Sequence, residues 1–328
     1  MTVATLPRLG FLGVGWIGRH RMQALSESGL ATVAAVADPQ EEALVAAAAA
    51  APEAGKAQTL EELLEHELDG VVIATPSALH AEQAVVALER GLAVFCQKPL
   101  ARDAAETRRV LTAAREADRL LGVDLSYRHV EALRAAHRVL AGGEIGRLHS
   151  LDLVFHNAYG PDKPWFTDPE LSGGGCLIDL GTHLLDLALW LTGAGGYEVE
   201  TARTLSLHGH AVEDQASAEL TLAGEVRARL ACSWFQPAGG ECAFECTAWG
   251  SDGAVSVRNV GGSFYDFRTE LWRGTSAETL AEPPDAWGGR AIAAWATRLA
   301  AERRYDPAAD ELELLARMID GVYAKAGR

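Results

Sequence analysis

The sequence predicts an α/β chain of two modules: a doubly wound parallel sheet, then an α+β module with a mainly antiparallel open sheet. Two observations carry this. Residues 9–125 alternate short, unbroken apolar runs with helical patterns, and strands that are apolar without alternation belong in a sheet covered on both faces. From Arg147 onward the apolar residues alternate instead, as in 149–156, where Leu151, Leu153 and Phe155 share one face. A chain of 328 residues has room for two domains at about 150 residues each. The change of pattern places their boundary near residue 124, giving modules 1–124 and 125–328.

In the first module, strands are expected at 9–13, 31–37, 70–75, 92–96 and 121–125. Helices are expected at 16–28, 41–51, 60–67, 77–90 and 103–119, with 52–57 as a loop. The alanine-rich 41–51 needs no explanation beyond helix propensity, and Gly91 follows its helix as a C-cap glycine does. In the second module a helix over 128–140 closes at Ala141-Gly142-Gly143. Alternating strands follow at 149–156, 217–222, 226–232, 244–249 and 255–257, with a helix over 175–192 inserted after the first. Helices near 287–303 and 307–326 finish the chain.

Acidic residues outnumber basic ones 45 to 29, a formal charge of −16. That argues against nucleic acid, whose binding needs a basic patch, and against attraction to an anionic membrane surface. No run of eighteen or more apolar residues lacks a charge or a histidine, so no membrane span is expected. The first residues lack a secretory signal's basic start, apolar core and cleavage site. The five cysteines (Cys96, Cys176, Cys232, Cys242, Cys246) have no framework spacing, which predicts reduced thiols and a cytoplasmic chain. Cys242 and Cys246 have no partners to complete a zinc set, so no metal is expected.

Gly13-Val14-Gly15-Trp16-Ile17-Gly18 follows a strand and opens a helix, the context in which a G-x-G-x-x-G has a mechanism. Gly13 permits the tight turn, Gly15 lets the backbone approach a pyrophosphate, and Gly18 lets helix and strand pack closely. Phosphates would rest on the helix N-terminus. Asp38 ends the second strand, placed to bond both hydroxyls of an adenosine ribose. A 2′-phosphate there would be repelled, and Pro39 and Gln40 offer no cation, so NAD is preferred over NADP. Thr75, Pro76 and His80 follow the next strand, and Gln97 and Lys98 follow the one after, at the same sheet edge. Pro99 predicts an extended exit that points Lys98 toward the cofactor edge.

Residues 173–191 read GGGCLIDLGTHLLDLALWL, with three carboxylate or imidazole side chains: Asp179, His183 and Asp186. On a helix, spacings of four and three put all three on one face. The other faces are apolar, which marks a buried helix. Burying such groups costs several kcal/mol, about the desolvation penalty of an ion, unless they are paired. A capped, hydrogen-bonded structural trio is the alternative to a catalytic one.

Together these features resemble the glucose-fructose oxidoreductase, inositol dehydrogenase and MocA family. The parts arrive in order along nearly the whole chain: the glycine loop, Asp38, Thr75 to His80, Lys98-Pro99, Tyr127-Arg128, Gly146-Arg147, Gly173-Gly174-Gly175 before Asp179, His183 and Asp186, then Glu213-Asp214 and Gly250-Ser251-Asp252-Gly253. Most members have Glu before the Lys; this chain has Gln97. The resemblance implies a Rossmann domain joined to an α/β domain whose open sheet builds a homodimer or homotetramer. It implies a nicotinamide cofactor and a sugar, cyclitol or related polyol substrate. It also matches Lys98, Asp179 and His183 to the family's catalytic positions.

Residue chemistry then assigns His183 as base, Lys98 as the cation that stabilises a developing alkoxide, and Asp179 as acceptor of a substrate hydroxyl or as fixer of the imidazole tautomer. Asp186 is expected to be supporting. Arg128, Asn157 and Trp165 are candidates to bind the sugar, with His156 a weaker one. Trp234, Trp249, Trp272 and Trp287 read as core or interface. Two other functions fit the same residues: NAD-assisted glycoside cleavage through a transient ketone, and a non-catalytic cofactor-sensing regulator.

Overall fold

The computed structural model describes residues 6–327. The chain divides into two compact units. The first runs to Ser126 and takes back Gly288–Glu313; the second is Tyr127–Trp287 with the chain from Leu314 onward. A single boundary near 124 does not anticipate the return of 288–313. Packing explains it: the helix Arg290–Ala301 lays Ile292, Trp295 and Leu299 into the first unit's core. Trp295 seats over two glycines that have no side chain to obstruct it. A Cβ on Gly122 would come within 2.6 Å of the indole, and one on Gly70 within 3.0 Å.

The first unit is a parallel sheet of β1 (Arg8–Leu12), β2 (Thr32–Ala37), β3 (Gly55–Ala57), β4 (Gly70–Ile73), β5 (Ala93–Cys96) and β6 (Leu121–Val123), ordered β3-β2-β1-β4-β5-β6. Alternate residues serve opposite faces. Val71, Ile73, Val94 and Cys96 join one core cluster, while Val72, Ala93 and Phe95 join the other. Both faces are apolar, so these strands read as unbroken hydrophobic runs. Strand β3 lies in the stretch expected to be loop; it is three residues long and pairs only through Ala35–Ala37. The strand order reverses between β1 and β4, where ligands bind in such sheets.

The second unit is an eight-stranded sheet. Its strands are β7 (Leu148–Asn157), β8 (Tyr197–Leu205), β9 (Gln215–Leu222), β10 (Val226–Ser233), β11 (Cys242–Gly250), β12 (Ala254–Asn259), β13 (Phe267–Arg273) and β14 (Ser276–Ala281), ordered β14-β13-β12-β11-β7-β10-β9-β8. All pairs are antiparallel except β7 with β10. Leu151, Leu153 and Phe155 face the core, as the alternation requires. The helices Glu131–Ala141 and Thr182–Thr192 pack against strands of this sheet.

The helix expected over 175–192 has two parts, a π-helical turn at Leu177–Gly181 followed by an α-helix at Thr182–Thr192. The run Pro169–Thr192 is apolar and long enough to cross a bilayer by composition, but 89% of its most apolar window is buried, as in the core helix of a globular unit.

Candidate active site

In the first unit the glycine loop is built as its spacing requires. Gly13 has φ +83°, and a Cβ there would stand 2.6 Å from the Ala74 carbonyl oxygen. A Cβ on Gly18 would stand 2.1 Å from the Gly13 carbonyl oxygen, so the helix Trp16–Ser28 can start this close to β1 only with glycine. Gly15 is the opposite case: a Cβ would meet nothing within 4 Å, and no side chain caps the helix. The loop therefore presents open backbone N–H groups at a helix N-terminus, which fits a pyrophosphate. Trp16 is 60% exposed and stacks on His20, while Ile17 is half-buried behind it.

Asp38 is buried at the end of β2 and ties the loop in place. Its Oδ2 accepts from Val14 N (2.9 Å) and its Oδ1 from Gln40 N (3.0 Å). Each carboxylate oxygen keeps a second lone pair for a ribose hydroxyl. Glycine loop and acid together fit a dinucleotide.

The residues after β4 and β5 are tied to one another. His80 is fully buried, and its Nδ1 and Nε2 each lie 2.7 Å from a carbonyl oxygen, of Pro99 and of Thr75. Burial holds its pKa below the ordinary histidine value. A neutral imidazole carries one N–H, so His80 donates to one of these carbonyls and packs against the other. His80 therefore sits between the two loops that follow β4 and β5. Thr75 donates its hydroxyl to Gln83 Oε1 (2.6 Å), and Pro76 precedes the helix Ser77–Glu89. Gln97 donates Nε2–H to Asp124 Oδ2 at 2.5 Å. Lys98 is half-buried; its peptide to Pro99 is cis and the chain bends there, where an extended exit was expected.

In the second unit Asp179 lies in the π turn, and His183 and Asp186 lie in the α-helix that follows it. Asp179 is half-buried and accepts from Trp234 Nε1–H at 3.0 Å. His183 lies against the Tyr127 ring, with centroids 4.7 Å apart. Asp186 is 1% exposed and takes a forked pair from Arg128, Nη2 at 2.6 Å and Nε at 3.0 Å. Arg128, expected to bind substrate, thus neutralises a buried carboxylate. π-Helical turns recur at functional sites because they re-aim side chains.

Asn157 ends β7, and its Oδ1 is buried with no hydrogen-bond partner among the described residues. Buried polar atoms are normally satisfied, so this oxygen suits a ligand donor. Trp165 stacks on Phe166 at 3.8 Å, and His156 Nδ1 pairs with Ser233 Oγ at 2.7 Å.

Three residues of this region escape local pattern. Tyr127 packs on His183, Phe155, Phe244 and Trp287. Trp234, read from sequence as core or interface, also donates to Asp179. Glu213 Oε1 accepts from Gly175 N (2.9 Å), Leu177 N (3.0 Å) and Tyr323 OH (2.8 Å), anchoring the start of the helix. A Cβ on Gly175 would be 1.8 Å from the Glu213 carbonyl oxygen, so that position admits only glycine. The order of Gly173-Gly174-Gly175 and Glu213-Asp214 hinted at this; nothing local signalled Trp234.

The doubly wound unit with its open glycine loop fits a dinucleotide, and the second unit carries an acid and an imidazole on a buried helix. Residues 7–125 match the model of an oxidoreductase family with an NAD-binding Rossmann fold, and 133–256 match the GFO/IDH/MocA C-terminal domain. The chain belongs to the GFO/IDH/MocA family. It is 32% identical over 204 residues to the rhizopine catabolism protein MocA of Rhizobium meliloti, covering 60% of this chain and 61% of that protein. The match thus spans about three-fifths of that relative's length. It is 30% identical over 301 residues to D-apiose dehydrogenase of Paraburkholderia graminis, covering 87% of this chain and 76% of the relative. Levoglucosan dehydrogenase, solved in complex with NADH, superposes with a TM-score of 0.84 at 20% identity, covering 98% of this chain and 97% of that one.

Proposed function

We propose that the chain transfers a hydride between NAD and a secondary alcohol of a sugar, cyclitol or related polyol. The observation that carries this reading is a paired one: an unobstructed glycine loop gripped by Asp38 in one unit, and a half-buried carboxylate and an imidazole on one buried helix in the other. Relatives named as dehydrogenases of sugars support the substrate class. Gly13, Gly15, Trp16, Ile17 and Gly18 would hold the pyrophosphate, Asp38 the adenosine ribose, and Thr75, Pro76, Gln97 and Lys98 the nicotinamide half. The negative charge of Asp38 disfavours a 2′-phosphate, so NAD is preferred over NADP. When bound, the nicotinamide supplies the hydride acceptor.

The chain's own residues manage the proton and the charge. His183 takes the hydroxyl proton, its ring orientation fixed by Tyr127. Lys98 stabilises the alkoxide as a cation. Asp179, held by Trp234, accepts a substrate hydroxyl, and Asn157 Oδ1 accepts another. The outer face of the second unit's sheet, where Arg258 lies 5.1 Å from the Trp272 ring centroid, would meet a second copy in a dimer or tetramer. The test is NAD-linked absorbance across cyclitols, aldoses and sugar phosphates with wild type, Lys98→Ala and His183→Ala. Both variants should bind NADH and lose at least about a hundredfold in turnover, the low end for a general acid–base group. Near-normal rates in both would overturn the assignment.

A further inference from the structure

Asp124, just past β6, is buried to 1% exposure and collects three donors. Arg21 Nε and Gln97 Nε2 both donate to its Oδ2, each at 2.5 Å, and Ser126 Oγ donates to Oδ1 at 2.6 Å. Arg21 also donates to Ser126 Oγ at 3.2 Å. The main chain converges on the same spot: Asp124 N donates to Cys96 O, and Gln97 N donates to Ile73 O, each at 2.9 Å. Lys98 is therefore the first residue beyond a segment pinned on both sides. The buried cluster has one guanidinium and one carboxylate, and the amide of Gln97 keeps its net charge at zero. A Glu at position 97 would bring a second carboxylate onto the oxygen that Gln97 now serves.

We propose that the Arg21–Asp124–Gln97 network is the positioning device for Lys98. Only one of positions 97 and 124 can bear the charge, and the other must bear the amide. Other ionisable groups around the cluster are His20, beside Arg21 at 2.9 Å, and Cys96. Burial and then Arg21 hold the His20 pKa below its ordinary value, and burial followed by Asp124 raises that of Cys96.

This rests on reading Lys98 as the catalytic cation, so the test has one arm that needs no catalysis. Melting temperature and NAD-linked turnover are measured from weakly acidic to weakly alkaline pH for wild type, Gln97→Glu, Asp124→Asn and the double swap Gln97→Glu/Asp124→Asn. In Gln97→Glu, two facing carboxylates share a proton, so one folded-state pKa rises above its unfolded value. The stability tied to that proton is present at low pH and lost as pH rises through the raised pKa. The melting deficit should therefore grow with pH, and turnover should fall alongside it. Asp124→Asn should lose stability at every pH because the Arg21 guanidinium is left buried without a carboxylate. The double swap should recover most of the melting temperature and raise kcat above that of either single variant at the same pH. A pH-independent deficit in Gln97→Glu, or a swap no better than Asp124→Asn, overturns the network. Melting rescue without recovery of kcat overturns the link to Lys98. Wild type inert toward every polyol sinks the proposed function while the melting arm still decides the charge pairing.

Discussion

In the first unit, Gly13, Gly15 and Gly18 open a six-residue stretch of backbone, tied in place by Asp38. In the second, Asp179, His183 and Asp186 share one short helical stretch, yet each depends on a side chain from elsewhere in the sequence: Trp234, Tyr127 and Arg128. A backbone site is damaged by adding atoms, and a side-chain site by removing them. A phosphate needs only N–H groups and a dipole, which any chain can offer where glycine clears the way. Proton transfer needs particular groups held at particular angles, and buried ionisable groups must be paired or bonded to persist.

The comparison predicts its largest effect at Arg128. Removing the guanidinium in Arg128→Ala leaves Asp186 charged at 1% exposure. Breaking a buried pair in this way costs about 3–5 kcal/mol. Arg128→Lys should recover only part of that, because an ammonium cannot make the forked pair. Urea unfolding at neutral pH measures both. A loss well under about 1 kcal/mol in Arg128→Ala would show that Asp186 is neutral or finds another donor, and would return Arg128 to the substrate-binding candidates.

Next in size is Trp234→Phe, which keeps the ring and removes the N–H that Asp179 accepts. A hydrogen bond to a charged group contributes about 1.5–3 kcal/mol. Because Asp179 is half-buried, water replaces part of this, so stability should fall by about 1 kcal/mol. If Asp179 meets a substrate hydroxyl, its loosened carboxylate should raise KM for the polyol several-fold while NADH affinity stays as in wild type. Equal KM values in variant and wild type would make Trp234 a packing residue alone, as its sequence context suggested.

These contrasts also explain what could be read in advance. The doubly wound sheet was legible because each strand is apolar on both faces, and the loop because its three glycines carry three separate local constraints. Strand β3 was not, since Gly-Lys-Ala has no periodicity and exists only through β2. Strands β8 and β14 escaped notice for a related reason: they are the two edges of the second sheet, and β14 (SAETLA) is exposed or half-exposed throughout. The helix bearing the trio was legible by its polarity, but its π turn was not, because the extra residue is held by tertiary contacts. Glu213 anchors that helix from 36 positions beyond Leu177 and Tyr323 seals it from 110 beyond Glu213, distances at which pattern says nothing.

The smallest effect on stability, and the sharpest division between the two kinds of site, is expected at Gly15. Nothing lies within 4 Å of the Cβ that Gly15→Ala would add, and φ of −60° suits alanine. The fold should change by less than about 1 kcal/mol, the difference between these residues at a helix N-cap. The same methyl would occupy the space through which a pyrophosphate approaches the loop's N–H groups, so the Kd for NADH should rise by about tenfold or more, equivalent to about 1.4 kcal/mol. Fluorescence titration with NADH beside a thermal melt separates the two quantities. Unchanged affinity in a stably folded Gly15→Ala would mean that the open face of the loop is not where the dinucleotide rests, and Asp38 would then be a tie for the loop rather than a ribose acceptor.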